Sequence, residues 1–175
     1  MHSVTKYING HSDVIMGCLA FNSDQLQSEL YKIQKYRGAT PSPFDCYLVL
    51  RSLATLELRM ERHMRSCVSV AQYLSCDPRI LSVVHPLLSS HPQHTLTLEQ
   101  HQARHSGMLS FTLTHPDQAP VFLNHLTLIK NAASLGSSHS LACQPARLTH
   151  AMCTPEVTHH LVIIISIKSN FPQGT

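Results

Sequence analysis

Leu56, Met60, Met64, Cys67 or Val68, Ala71 and Leu74 recur at intervals of three and four residues, and this stripe constrains the fold more than any other feature of the chain. It predicts one long helix with an apolar face, and such a face has to be covered by a second layer. Glu61 and Arg65 stand four apart on the other side, as a solvated ion pair. Asp77, Pro78 and Arg79 end the helix, and the branched run from Ile80 to Val84 predicts a strand. From Met108 to Leu113 the chain alternates, with Leu109, Phe111 and Leu113 on one face of a half-buried strand. Asp117 is expected to cap a further helix whose apolar side carries Val121, Phe122, His125, Leu126 and Ile129. His125 there reads as a hydrogen-bonded core or edge residue rather than a ligand. The seven residues from Leu161 to Ile167 are strongly β-prone, an aggregation hazard if they lay on an open sheet edge. The pattern as a whole specifies mixed α and β structure.

Before the stripe, Cys18 to Phe21 is an apolar run compatible with a buried strand, and Asn22 to Asp24 reads as a turn or helix cap. Leu26, Leu30, Ile33 and Tyr36 or Arg37 follow at helical spacing, with Gly38 as the stop. Ser42, Pro43 and Asp45 form a second helix start: an N-cap hydroxyl, a proline where no N–H is needed, and an acid near the positive helix end. That helix carries Phe44, Tyr47, Leu48 and Leu50, and a bend is expected near Ser52, where the apolar face changes.

At 175 residues and 43% hydrophobic, the chain can supply one ordinary domain with a core. Its formal charge of +3 is scattered and makes no basic stripe, which argues against nucleic-acid binding. No apolar run approaches the ~20 residues of a membrane span and no signal-like start is present, so a cytoplasmic protein is expected. The six cysteines are spread without C-x-x-C pairs and read as reduced thiols, mostly buried. His91, His94, His101 and His105 form the densest group of the 14 histidines, and His101 and His105 stand four apart as on one helix face. Spacing alone does not make a metal site, and solvated histidines are the preferred reading.

The first residues hold a different kind of signal. Ser3-x-Thr5-Lys6-Tyr7 is followed by Gly10, His11, Ser12, Asp13, Val14 and Gly17. Farther on come Pro41, Pro43 and Phe44, then Arg51, Leu53, Thr55, Leu56 and Arg59, the run from Ser90 to His94, and Gly107 to Phe111. Ser134, Leu135 and Gly136, Ser140 and Leu141, and Thr149, His150 and Ala151 complete the set. Together these colinear motifs resemble the Cys/Met-metabolism family of pyridoxal-phosphate enzymes over about positions 3 to 152. A lone Ser-x-Thr-Lys is more often a surface lysine after a turn; the downstream motifs reverse that preference.

The resemblance implies an α+β chain, the C-terminal part of a PLP-dependent transferase of aspartate-aminotransferase-like fold type I, with a mainly antiparallel small sheet and helices. It implies four segments: 1–38, the end of the large cofactor domain; 39–77, linking helices; 78–168, the small domain; and 169–175, a divergent tail. Lys6 becomes the catalytic lysine, forming a Schiff base with the aldehyde of pyridoxal 5'-phosphate. Ser3 and Thr5 join it in cofactor binding, as hydroxyl donors to the phosphate. Ser134 is implied to help hold the α-carboxylate of a sulfur-containing amino-acid substrate. Read without the other motifs, Ser134 and Gly136 are ordinary turn residues. The activity implied is γ-elimination on cystathionine, giving cysteine, 2-oxobutanoate and ammonia, with β-lyase or γ-synthase chemistry as the near alternative. The intact family implies a homo-oligomer, a tetramer.

The pattern also departs from the family. His85, Pro86, Leu87 and Leu88 stand where Tyr-Pro-Gly-Leu is expected. The terminal strand reads Val162, Ile163, Ile164, Ile165 and Ser166 where the family has an arginine, and isoleucine offers no donor to a carboxylate. Lys168 and Arg147 are not in register to replace it. The cofactor-binding portion expected before the lysine and the terminal helix expected after the last strand are not in the sequence. A truncated form with an altered C-terminus is therefore expected, and the alternative reading is an inactive subunit fragment that packs on a full-length partner.

Overall fold

The computed structural model describes residues 1–149, 152 and 162–168. The chain divides into two compact units, Met1–Leu56 and Glu57–Thr175. In the first, strands β1 (His2–Ser3) and β2 (Gly17–Cys18) pair antiparallel and flank a single wide helical turn, Val4–Ile8. Helix α1 (Asp24–Arg37) starts where Ser23 Oγ accepts the Leu26 N–H at 3.2 Å and stops at Gly38, in the left-handed region at φ 67°. Helix α2 (Pro43–Leu53) starts as its capping residues require, with Ser42 Oγ accepting the Asp45 N–H at 3.1 Å. A small core of Val4, Val14 and Val49 holds the turn to α2, with Ile8, Met16 and Leu48 packed around it. Three expectations fail in this unit. Of the apolar residues read onto α2, Phe44, Tyr47 and Leu50 are exposed, and α2 buries Val49 and Ser52 instead. Cys18, Leu19 and Phe21 are exposed rather than in a buried strand, and α1 contains no buried residue, so its apolar stripe faces outward within the unit.

The second unit is a five-stranded sheet with helices on one face. Helix α3 (Leu56–Ser75) leads by way of the Asp77 turn into β3 (Ile80–Val84). Then follow α4 (His94–His101), β4 (Met108–Leu113), α5 (Ala119–His125), β5 (Lys130–Asn131), β6 (Leu141–Cys143), α6 (Pro145–Leu148) and β7 (Val162–Ser166). The strand order is β3-β4-β7-β6-β5, antiparallel except for the β5–β6 pair. The β-prone terminal run is thus a central strand, paired on both sides, so its backbone is not an open edge.

Pleating sorts the side chains. Leu109, Phe111 and Leu113 share one face with Ile163, Ile165 and Ala142, and with Cys67, Ala71 and Leu74 of α3 and Ala119 and Leu123 of α5 they form the main core. Phe122 meets Phe111 edge to face at 5.6 Å. The opposite face carries Ser110, Thr112, Ile164 and Ser166. Two polar residues also lie on the buried side of α3, His63 and Ser66, which a purely apolar stripe cannot reveal. His63 Nδ1–H donates to the Ile167 carbonyl. Gly107 makes room for that ring: a Cβ there would stand 3.1 Å from His63 Cβ and Nδ1 and from Ile167 O.

The expected helix through His101 and His105 ends early, because α4 stops at His101 and Gln102 and Ala103 both adopt positive φ. His105 instead packs edge to face on His85 at 4.5 Å, with His85 Nε2 3.2 Å from His105 Nδ1. The substituted His85-to-Leu88 turn closes through Leu88 N–H to His85 O at 3.0 Å, and no residue of it needs positive φ. Asp117 lies within a 3-10 turn, Pro116–Gln118, rather than at the cap of α5. The residues α5 buries are Ala119 and Leu123, while Val121 is exposed. His125 is exposed too, its Nδ1 2.8 Å from the Val121 carbonyl. Of the cysteines, Cys67 and Cys143 are buried, Cys46 is half-buried, and Cys18 and Cys76 are exposed, all of them free; Cys153 lies outside the described residues. Burial pushes the Cys67 thiol up to about 12, so it stays protonated.

Burial, and then the neighbouring His105 and His91, hold the His85 imidazole down at about 4, against an ordinary value of 6.5. The folded chain therefore refuses a proton that the unfolded chain accepts. Stability is full above pH ~6.5 and declines as pH falls from there towards ~4. Urea midpoints measured across that window should show this decline, and His85→Gln should flatten part of it.

Candidate functional site

The segment carrying Lys6 is clamped at several points. Thr5 N–H donates to the Met16 carbonyl at 3.2 Å, while Thr5 Oγ1 accepts the Met16 N–H at 3.0 Å and lies 3.3 Å from the same carbonyl. The turn closes through Asn9 N–H to Val4 O at 2.8 Å and Gly10 N–H to Lys6 O at 2.7 Å. Lys6 sits at the kink of this turn, with φ −89° and ψ −125°, half-buried between the two short strands.

Behind the lysine is a polar hub absent from the sequence reading. Asn9 is fully buried; its Nδ2 donates to Asp13 Oδ1 at 2.7 Å and its Oδ1 accepts from Ser52 Oγ at 3.2 Å. His11 Nδ1 lies 2.7 Å from the Asn9 carbonyl and 3.1 Å from Ser52 Oγ. The hub ties the lysine turn to α2 through side chains 43 residues apart. The Asn9-Gly10 pair announces a turn, but no local pattern announces that Ser52 completes it.

Ser134 lies in the second unit, in the loop between β5 and β6, whereas Thr5 and Lys6 share the turn of the first unit and Ser3 stands exposed at the end of β1 just before it. Ser134 holds φ at 150°, a backbone state rare for a residue with a side chain, and Gly136 follows at φ 81°. Such strain persists only where the surroundings enforce it, and it collects at functional sites. The loop is fastened to the polar face of the sheet: Gly136 N–H reaches Ser166 Oγ at 3.4 Å, and Lys168 N–H donates to buried Ser140 Oγ at 2.9 Å. Ile164 is on that same face, opposite Ser110 on one side and Cys143 on the other. The expected motif member Thr149 follows α6, while His150 and Ala151 lie outside the described residues.

Among the described residues, no group of three or more His, Cys, Asp or Glu is arranged to hold a metal ion. No helix of them is long and apolar enough to cross a membrane.

The donor set of the turn suits a phosphorylated aldehyde. A primary amine and a hydroxyl stand on adjacent residues, Lys6 and Thr5, and the nearby Asp13 carboxylate is engaged by Asn9. The Thr5 hydroxyl proton reaches only a carbonyl 3.3 Å away, at the long end of the hydrogen-bond range, so it can turn to a stronger anionic acceptor while its lone pair keeps Met16. Two substitutions probe the clamp. Asn9→Ala strands the Asp13 and Ser52 oxygens and should destabilise the chain by ~2 kcal/mol, whereas Thr5→Ser should be near neutral and Thr5→Val should cost ~1 kcal/mol. Denaturant titration checks both, and an unchanged midpoint for Asn9→Ala would refute the hub.

Comparison with known proteins places this geometry. Residues 1–166 match the family of Cys/Met metabolism PLP-dependent enzymes. The chain is 50% identical over 152 residues to the cystathionine gamma-lyase of Mus musculus, covering 86% of this chain and 38% of that protein. It is 44% identical to the cystathionine gamma-lyase of Dictyostelium discoideum, covering 89% of this chain and 40% of that one. Among solved structures, cystathionine gamma-lyase from yeast superposes with a TM-score of 0.92 at 36% identity, over 97% of this chain and 45% of that one. Cystathionine gamma synthase from Xanthomonas oryzae pv. oryzae superposes at 0.89 and 35% identity, with the same coverage. The chain thus spans about two fifths of the length of the curated relatives it matches. With its helices, its mainly antiparallel sheet and its lysine turn, the chain belongs to the Cys/Met-metabolism PLP-dependent enzymes.

Proposed function

We propose that this chain is the carboxyl-terminal part of a pyridoxal-phosphate-dependent carbon–sulfur lyase of the cystathionine γ-lyase type, acting on sulfur-containing amino acids. The observation that carries the reading is the placement of Lys6 at the kink of a turn held by Thr5, Met16 and buried Asn9. Ser3 and Thr5 orient the phosphate through their hydroxyls, and the Lys6 Nζ holds and moves the proton at the substrate carbon. When bound, the cofactor supplies an electron sink for the negative charge that develops at that carbon. Ser134, in its strained loop, helps orient the substrate carboxylate.

A second reading has its own support. Ile164 faces the side of the sheet to which the Ser134 loop is fastened, and an aliphatic side chain there cannot pair with a carboxylate. A chain so built acts as a catalytically inactive subunit fragment that associates with a full-length enzyme. Weak substrate binding together with cofactor capture favours this reading over independent turnover.

Adding pyridoxal phosphate to the folded chain, reducing with borohydride and mapping peptides by mass tests the cofactor role. A pyridoxyl mass on Lys6, lost in Lys6→Ala together with the absorbance band near the visible edge, is expected. A folded sample with no band and no labelled Lys6 rules the reading out. Sedimentation with and without a full-length cystathionine γ-lyase then separates the two readings, since only the fragment reading requires a mixed oligomer.

A further inference from the structure

The sheet face covered by α3 and α5 is not fully closed. Between the two helices runs a groove of about 860 Å³, within the size range of small-molecule sites. Its lining is mainly apolar, with Val70 and Leu74 from α3, Leu113 from β4, Ile165 from β7 and Phe122 from α5. Polar residues line it too, among them Ser69, Thr114, His115, Gln118 and His125, and one further hydroxyl is buried without a partner. Ser66 is only 3% exposed, and its Oγ has no hydrogen-bond partner among the described residues. A buried hydroxyl left unpaired lowers stability, so its presence in the groove wall is a reason to look for the acceptor or donor that completes it.

We propose that this groove binds a mainly apolar small molecule with one uncharged hydrogen-bonding head, the head meeting Ser66 and the body lying along Val70, Leu113 and Phe122. At the rim Arg79 and Asp77 neutralise each other across 2.6 Å, so the site has no surplus charge to select a strongly ionic ligand. The proposal is independent of the lysine turn, which belongs to the other compact unit.

Fluorescence titration of the full chain with 1-naphthol and with 1-methylnaphthalene tests it, since the two probes differ in the hydroxyl. 1-Naphthol should bind saturably and about fivefold more tightly, the ratio expected for one net hydrogen bond. Ser66→Ala should bring the two affinities together, with a melting temperature no lower than that of the unsubstituted chain. Equal affinities in the unsubstituted chain, a preference that survives Ser66→Ala, or no saturable binding by a folded sample would overturn the proposal.

Discussion

The antiparallel pairing of β4 with β7 is the interaction on which the second unit depends. Five consecutive pairs, from Met108 with Ser166 to Thr112 with Val162, set which residues face which way. With this register, Leu109, Phe111, Ile163 and Ile165 reach the core under α3 and α5, and Ser110, Ile164 and Ser166 reach the other face. Because side chains alternate with a period of two, a slip of one residue would turn the serines into the apolar core and Ile163 and Ile165 out of it. The polar face is also where the strained Ser134 loop is fastened, through Gly136 and Ser166. Core packing and the placement of the candidate substrate loop thus rest on the same register.

The first unit works differently. Its apolar core is small, and much of its definition comes from buried polar contacts: the Asn9 amide with Asp13 and Ser52, and Thr5 with Met16. Fully satisfied polar groups specify one geometry more sharply than aliphatic contact does, since a hydrogen bond is directional and a missing partner is costly. The backbone that carries Lys6 is fixed by this kind of support. The same chain carries Ile164 on the polar face of the other unit, so no cation stands at the position where the terminal strand was expected to carry an arginine.

Elements with strong local signals were legible. Caps at Ser23 and Ser42, the Gly38 stop, the α3 stripe, β3 and the alternation of β4 all appear as read, because capping, periodicity and turn chemistry are properties of a few neighbouring residues. Where two structures competed for the same residues, the reading failed. His101 and His105 are spaced as on a helix, yet the chain turns at Gln102 so that His105 can pack on His85. Cys18 to Phe21 is apolar enough for a buried strand, but within its unit nothing covers it. The apolar pattern put Val121 on the inward side of α5, but the helix buries Ala119 and Leu123 and leaves Val121 exposed.

By itself, the sequence determined the main helices α1 to α3, strands β3 and β4, and membership of a PLP-dependent family, because motifs and periodicities are written in residue types and spacings. Only the tertiary structure decided that Asn9 and Ser52 support the lysine turn, that β7 is a central strand, that Ser134 is strained, and that Ser66 is buried, without a partner among the described residues, beside a mainly apolar groove. Those features join residues tens of positions apart, and their energies depend on burial and on which partner reaches which atom, quantities that exist only once the chain has packed.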